Sequence, residues 1–93
     1  GVFCANDTLA FGFMDTARHA FGLRIPEDIV VVGFDDVPMA AAASFRLTTV
    51  RQDSEGLACE AVDRLVERMS DPARPARSQT LPVELVVRQT TSR

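Results

Sequence analysis

Two short stretches of the chain place polar side chains directly behind apolar runs: Asn6-Asp7 after Gly1 to Ala5, and Asp35-Asp36 after Ile29 to Phe34. A carboxylate accepts hydrogen bonds in a planar fork, and a carboxamide supplies both donors and an acceptor. Asn6 and Asp35 together therefore suit vicinal hydroxyls or a ring bearing several donors, as in a sugar or nucleoside-like ligand. Asp7, Asp35 and Asp36 also have the oxygen ligands a hard cation such as magnesium would need. Phosphoryl transfer would further call for a glycine-rich phosphate loop and a placed lysine; the sequence has no such loop and no lysine. The reading is therefore a binding protein and not an enzyme, with no catalytic residue, metal ligand or cofactor.

Each of these residues also has a plainer use. Asn6 and Asp7 are types that cap helices, and for Asp7 capping is preferred to ligand contact. Asp36 suits a turn, and Asp35 stands evenly between turn and site. Gly33 would let the chain turn as its strand ends, and Phe34 is read first as packing under the loop. His19 sits near the end of a helix, where a positive imidazole is favoured but has no catalytic partner. Cys4 lies in an apolar strand without an activating neighbour.

The elements that must position these residues follow from periodicity. Gly1 to Ala5 reads as a core strand. Asn6-Asp7-Thr8 can start a helix over 8–21, with Leu9, Ala10, Phe13, Met14, Ala17, Ala20 and Phe21 at helical spacing. Gly22 can end it in the left-handed conformation. Ile29 to Val32 shows no alternation, as expected of a strand covered on both faces, so a β-α-β unit with parallel, adjacent strands is predicted. In open parallel sheets ligands bind beyond the carboxyl ends of the strands, which puts Asn6 and Asp35 on one edge. Further on, the spacing predicts a short helix from Pro38 to Ala43 and an extended segment over Leu47 to Val50. Next come a long amphipathic helix capped by Asp53 or Ser54, a proline-punctuated loop over 71–78 and a final strand over 80–88.

Composition narrows the function classes. With 46% hydrophobic and 25% charged residues the 93-residue chain is an ordinary small globular domain at most. Its formal net charge is −3, and the ten basic residues are scattered along the sequence, so it offers no electrostatic footprint for nucleic acid. No apolar run approaches the ~20 residues of a membrane span. Cys4 and Cys59, without metal-type spacing, are expected to be two buried thiols. The apolar opening without a preceding turn is expected of a chain that begins inside a fold.

Four motifs in order, AND, PEDIVVVGFDD, LTTVRQD and the terminal LVVR, resemble the carboxyl-terminal part of the LacI/GalR family of bacterial transcription regulators over essentially the whole chain. The resemblance implies an α/β, parallel-sheet βαβ fragment of a type I periplasmic-binding-protein-like fold, with two lobes around a cleft. Residues 1–49 would then end the second effector-binding lobe and include a dimer-interface helix. Residues 50–93 would be a lobe-crossing segment, a helix and a strand of the first lobe. It further implies that Asn6 and Asp35 bind a small-molecule effector, a carbohydrate or relative, that Gln52 faces the cleft, and that Phe11 and Ala43 lie at a subunit contact. The partners implied are a second or further copies of the chain and operator DNA, held by a headpiece this sequence lacks, in a cytoplasmic repressor that touches no membrane. A periplasmic sugar-binding protein of the same fold is the alternative. Relatives often carry proline just before LTT, where this chain has Phe45-Arg46, so the loop there is expected to differ.

Overall fold

The structure is a computed structural model and describes residues 1–92. Strand β1 (Val2–Phe3) leads into helix α1 (Asp7–His19), which returns the chain to strand β2 (Val31–Val32). The two strands pair in parallel, Val2 opposite Val31 and Phe3 opposite Val32, as the β-α-β reading requires. A 3-10 helix (Pro38–Ala41) follows, then strand β3 (Thr49–Gln52), helix α2 (Ser54–Ser70), strand β4 (Val83–Val86) and a second 3-10 helix (Gln89–Thr91).

The chain forms two compact units, Gly1–Gln52 with the residues from Glu84 onward, and Asp53–Val83. In the first unit, Ala10, Met14 and Ala17 recur on one face of α1 and are buried with Ile25, Val31, Ala40 and Leu47. Beyond β2 the chain runs parallel beside the start of β3: Gly33 N donates to Thr48 O at 2.9 Å and Asp35 N to Val50 O at 2.9 Å. β3 pairs on with β4.

Several boundaries depart from the sequence reading. α1 stops at His19, leaving Phe21 exposed, and Gly22 takes the left-handed φ of +63° just after it. The short helix predicted over Pro38 to Ala43 is a 3-10 helix of four residues that stops at Ala41; Ala42 is already extended, with φ −63° and ψ 148°. The extended segment predicted over Leu47 to Val50 is displaced, because Leu47 and Thr48 precede the strand. The final strand is confined to four residues, because its continuation is taken into a clasp of hydroxyls. Thr90 Oγ1 donates to Val31 O at 2.6 Å and accepts from Thr48 N at 2.9 Å, and Thr48 Oγ1 accepts from Arg88 N at 2.8 Å. No local signal marks this second 3-10 helix.

In the second unit, Asp53 caps α2 by accepting from Gly56 N at 2.9 Å. None of the residues of α2 is buried, and Leu57, Val62, Leu65, Val66 and Met69 are exposed. The expectation of two buried thiols fails here: Cys59 lies on this open helix and is exposed, while Cys4 is half-buried, and both are free. Burial pushes the Cys4 thiol above its ordinary pKa, as suits an unreactive cysteine. Among the described residues no helix is long and apolar enough to cross a membrane.

Candidate functional site

The carboxyl ends of β1, β2 and β3 lie on one edge of the first unit, and each is followed by a polar residue that the sequence singles out. Asp7 N donates to Phe34 O at 3.0 Å, which stitches the turn after β1 to the turn after β2. Asn6 and Asp35 are the sequence neighbours of these two bonded residues, so the hydrogen bond holds them on the same edge. Gln52, the last residue of β3, donates from Nε2 to Asp35 Oδ1 at 3.0 Å. Asp35, Gln52 and Asn6 are thus gathered from three strand ends separated by up to 46 residues.

What each side chain still offers follows from its bonds. Asn6 is the N-cap of α1, its Oδ1 accepting from Leu9 N at 2.8 Å, which leaves the amide nitrogen as a donor without a partner among the described residues. Asp35 keeps Oδ2 as an acceptor, and Gln52 keeps Oε1. The unspent groups are therefore one donor-bearing amide and two acceptor oxygens, the set that hydroxyls with their paired donor and acceptor capacity satisfy.

The backbone of this edge is strained. Asp35 has φ +129° and Asp36 φ +57°, the left-handed side that a non-glycine residue enters only when its surroundings hold it there. The holding is visible in Asp36, whose Oδ2 accepts from Arg51 Nε at 2.7 Å and whose Oδ1 pairs with Arg88 Nη1 at 2.8 Å. Burial of Asp36 alone would push its pKa up, but the hydrogen bonds from Arg88 and Arg51 outweigh it and hold the carboxyl below its ordinary range. The hydrogen bond to Asp36 likewise raises the pKa of Arg51. Asp36 is a support, as a loop residue was expected to be, though its partners are two guanidinium groups and not the neighbouring amides.

Asp7 has a role that neither capping nor ligand contact describes. It is buried, with Oδ1 accepting from Thr49 Oγ1 at 2.6 Å and Oδ2 from Val37 N at 2.9 Å. A single carboxylate thus ties the start of α1 to the loop after β2 and to β3. Gly33 is explained by the same contact. Its φ is not left-handed; a Cβ there would overlap the Asp7 carboxylate and come within 2.9 Å of Leu47 Cδ2. The glycine supplies space where the expected reason was freedom to turn. Because Asp7 and Asp36 are spent on protein partners, the magnesium reading of the three aspartates finds no support, and no group of three or more metal-ligating side chains is placed to hold an ion among the described residues.

Phe11, for which the resemblance implies a subunit contact, packs within the chain on Phe45 with ring centroids 4.3 Å apart and planes tilted by 34°. Phe45 occupies the stretch where relatives often have proline, and the next residue, Arg46, takes φ +40°. Ala43 is exposed, and Arg18 Nη1 donates to the neighbouring Ser44 O at 2.6 Å, so α1 and this loop form one surface.

Comparison with known proteins agrees with this architecture. The periplasmic binding protein-like domain matches residues 1–91. The PurR transcriptional repressor of Vibrio vulnificus is 43% identical over 89 residues, covering 96% of this chain and 26% of the repressor. Among solved structures, a LacI family transcriptional regulator of Enterococcus faecalis V583 with bound ribose superposes with a TM-score of 0.86 at 40% identity, over 98% of this chain and 34% of that one. The lac repressor dimer bound to operator and the anti-inducer ONPF gives 0.80 at 40% identity, over 96% and 26%. The chain thus spans about a quarter of the length of the curated relatives it matches.

Proposed function

The chain belongs to the periplasmic binding protein-like domain family, and on that premise we propose that it is part of the effector-binding region of a bacterial LacI/GalR-type transcription regulator, a repressor. The observation that carries this reading is the Gln52–Asp35 hydrogen bond on a strained strand end beside Asn6. Backbone strain kept in place by ion pairs, here Asp36 with Arg51 and Arg88, is a common mark of a binding site. The effector is a carbohydrate or related polyol, which the unspent groups of Asn6, Asp35 and Gln52 would meet, and which a structural relative binds as ribose.

In this reading, residues 1–49 close the second lobe, residues 50–93 cross into and belong to the first, and a headpiece outside these residues grips operator DNA in the cytoplasm. The surface shared by α1 and the loop carrying Ala43, with Phe11 within it, contacts a second copy. An effector with different affinity for two lobe arrangements shifts the protein between operator-bound and released states. The protein works by this binding, without catalysis.

The test uses the protein encoded by the complete reading frame. Ribose and a panel of other monosaccharides are titrated by calorimetry against wild type and Asp35→Ala, with operator affinity measured in parallel. Loss of effector binding with operator binding intact is expected. An Asp35→Ala protein that still binds its sugar normally would sink the assignment. A signal peptide upstream, in place of a helix-turn-helix, would point to the periplasmic sugar-binding alternative.

A further inference from the structure

The second unit contains a concentration of positive charge that the sequence disperses. Arg64, Arg68, Arg74 and Arg77, four of the ten basic residues of an acidic chain, line one pocket of about 140 Å³ together with Pro75 and a single acid, Glu67. The scattered basic residues of the sequence reading converge because the loop over 71–78 folds back along α2. Arg68 Nη1 holds that loop by donating to the carbonyls of Pro72 and Arg74.

Glu67 is oversubscribed. It accepts from Arg64 Nη1 at 3.2 and 3.3 Å, pairs with Arg74 Nη1 at 3.2 Å and lies 4.0 Å from Arg77 Nη2. Even with Glu60 paired to Arg64, two carboxylates face four guanidinium groups, so like charges stay packed around the pocket at a Coulombic disadvantage. Arg64 also bonds Glu60 and Gln79, and its Nε is buried with no hydrogen-bond partner among the described residues. Arg74 and Arg77 each carry five N–H donors in a fixed fork, of which the recorded ion pairs occupy few.

We infer that this pocket is a binding site for a phosphate group, as inorganic phosphate or a phosphate monoester, gripped by Arg74 and Arg77 in competition with the Glu67 carboxylate. Guanidinium forks match tetrahedral oxyanions by paired, charge-assisted hydrogen bonds, and the chamber has the size for one such anion. Binding is reversible, with no bond made or broken, and is independent of the strand-end site.

The protein from the complete reading frame is titrated with inorganic phosphate, followed by the ¹H–¹⁵N signals of the arginine side chains. Saturation at or below about 10 mM is expected, and Arg74→Gln/Arg77→Gln weakens it by about tenfold or more, as loss of two charge-assisted contacts implies. Arg77→Lys keeps the charge but loses the fork, and weakens it by a smaller factor. Glu67→Gln removes the competing carboxylate and tightens it. Because Arg74 and Arg77 are exposed, the double variant keeps the wild-type thermal midpoint, which separates loss of a site from loss of fold. Phosphate shifts that stay linear in concentration, or that persist unchanged in the double variant, overturn the inference. So does saturation by duplex DNA alone with none by phosphate, since that marks a diffuse basic patch.

Discussion

Helices α1 and α2 carry the same sequence signals and meet different fates. Each opens on a side chain that caps it, Asn6 to Leu9 N at 2.8 Å and Asp53 to Gly56 N at 2.9 Å, and each repeats apolar residues every three or four positions. α1 buries Asp7, Ala10, Met14 and Ala17; α2 buries nothing. The difference shows that periodicity reports the capacity of a helix to be covered, whereas covering depends on what else the chain brings to that face. α1 lies between β1 and β2 and meets Val31, Ala40 and Leu47 within its own unit. α2 is held mainly by its cap and by arginine-carboxylate pairs along its surface, Arg64 with Glu60 and Glu67.

The sharpest way to break the comparison is truncation of one apolar residue in each helix. Met14→Ala should destabilise the chain by about 2–5 kcal/mol, a cavity in a closed core, whereas Val66→Ala on the open face should change stability by less than about 0.5 kcal/mol. Equal effects in urea unfolding would show that α2 is covered in solution. Next in size, Asp7→Ala leaves Thr49 Oγ1 and Val37 N without their acceptor inside the first unit, for a loss of about 2–3 kcal/mol in the same assay.

A smaller effect, of about 1–3 kcal/mol, is expected for Asp36→Asn at neutral pH, and its pH dependence is diagnostic. The Asp36 carboxyl titrates below its ordinary range in the folded state, so the folded protein resists protonation there. Its stabilisation is fully present above the unfolded value of about 4 and fades as pH falls through the folded value. Unfolding curves for wild type and variant should therefore converge in acid; a gap that stays constant to pH 2 would contradict the ion-pair account. Smallest is Asp53→Ala, which removes the α2 cap for about 1 kcal/mol, read as a lowered midpoint with an unchanged slope.

The parts of this structure that local chemistry determines were legible in the sequence. Unbroken Val30-Val31-Val32 marks a parallel strand, although only Val31–Val32 pair and only Val31 is buried, while Asn6 and Asp53 mark helix starts and Gly22 marks a helix end. Strand-end placement also brought Asn6 and Asp35 to one edge from their positions alone, and the LacI/GalR resemblance added Gln52. What stayed hidden depends on contacts between distant residues. Nothing near Asp7 announces that its partner is Thr49, 42 positions on. The 3-10 helix at Gln89–Thr91 exists because Thr90 is needed at Val31, and four arginines look scattered until a loop folds them together. Gly33 was noticed for its flexibility, whereas the packing of Asp7 and Leu47 explains it by space.

The hydroxyl clasp at Thr90 also bears on timing. Its bond to the Val31 carbonyl spans 59 residues, and Thr48 completes the same junction. A chain synthesised at roughly 5–20 residues per second has β1, α1 and β2 joined several seconds before Thr90 is added. Until then the Val31 carbonyl and the Thr48 amide lack their final partner, so the first unit reaches its closed form only after synthesis has passed residue 90. Nascent chains stalled with Thr90 still inside the ribosome should expose these groups to solvent exchange and to proteolysis, and chains released from the ribosome should not.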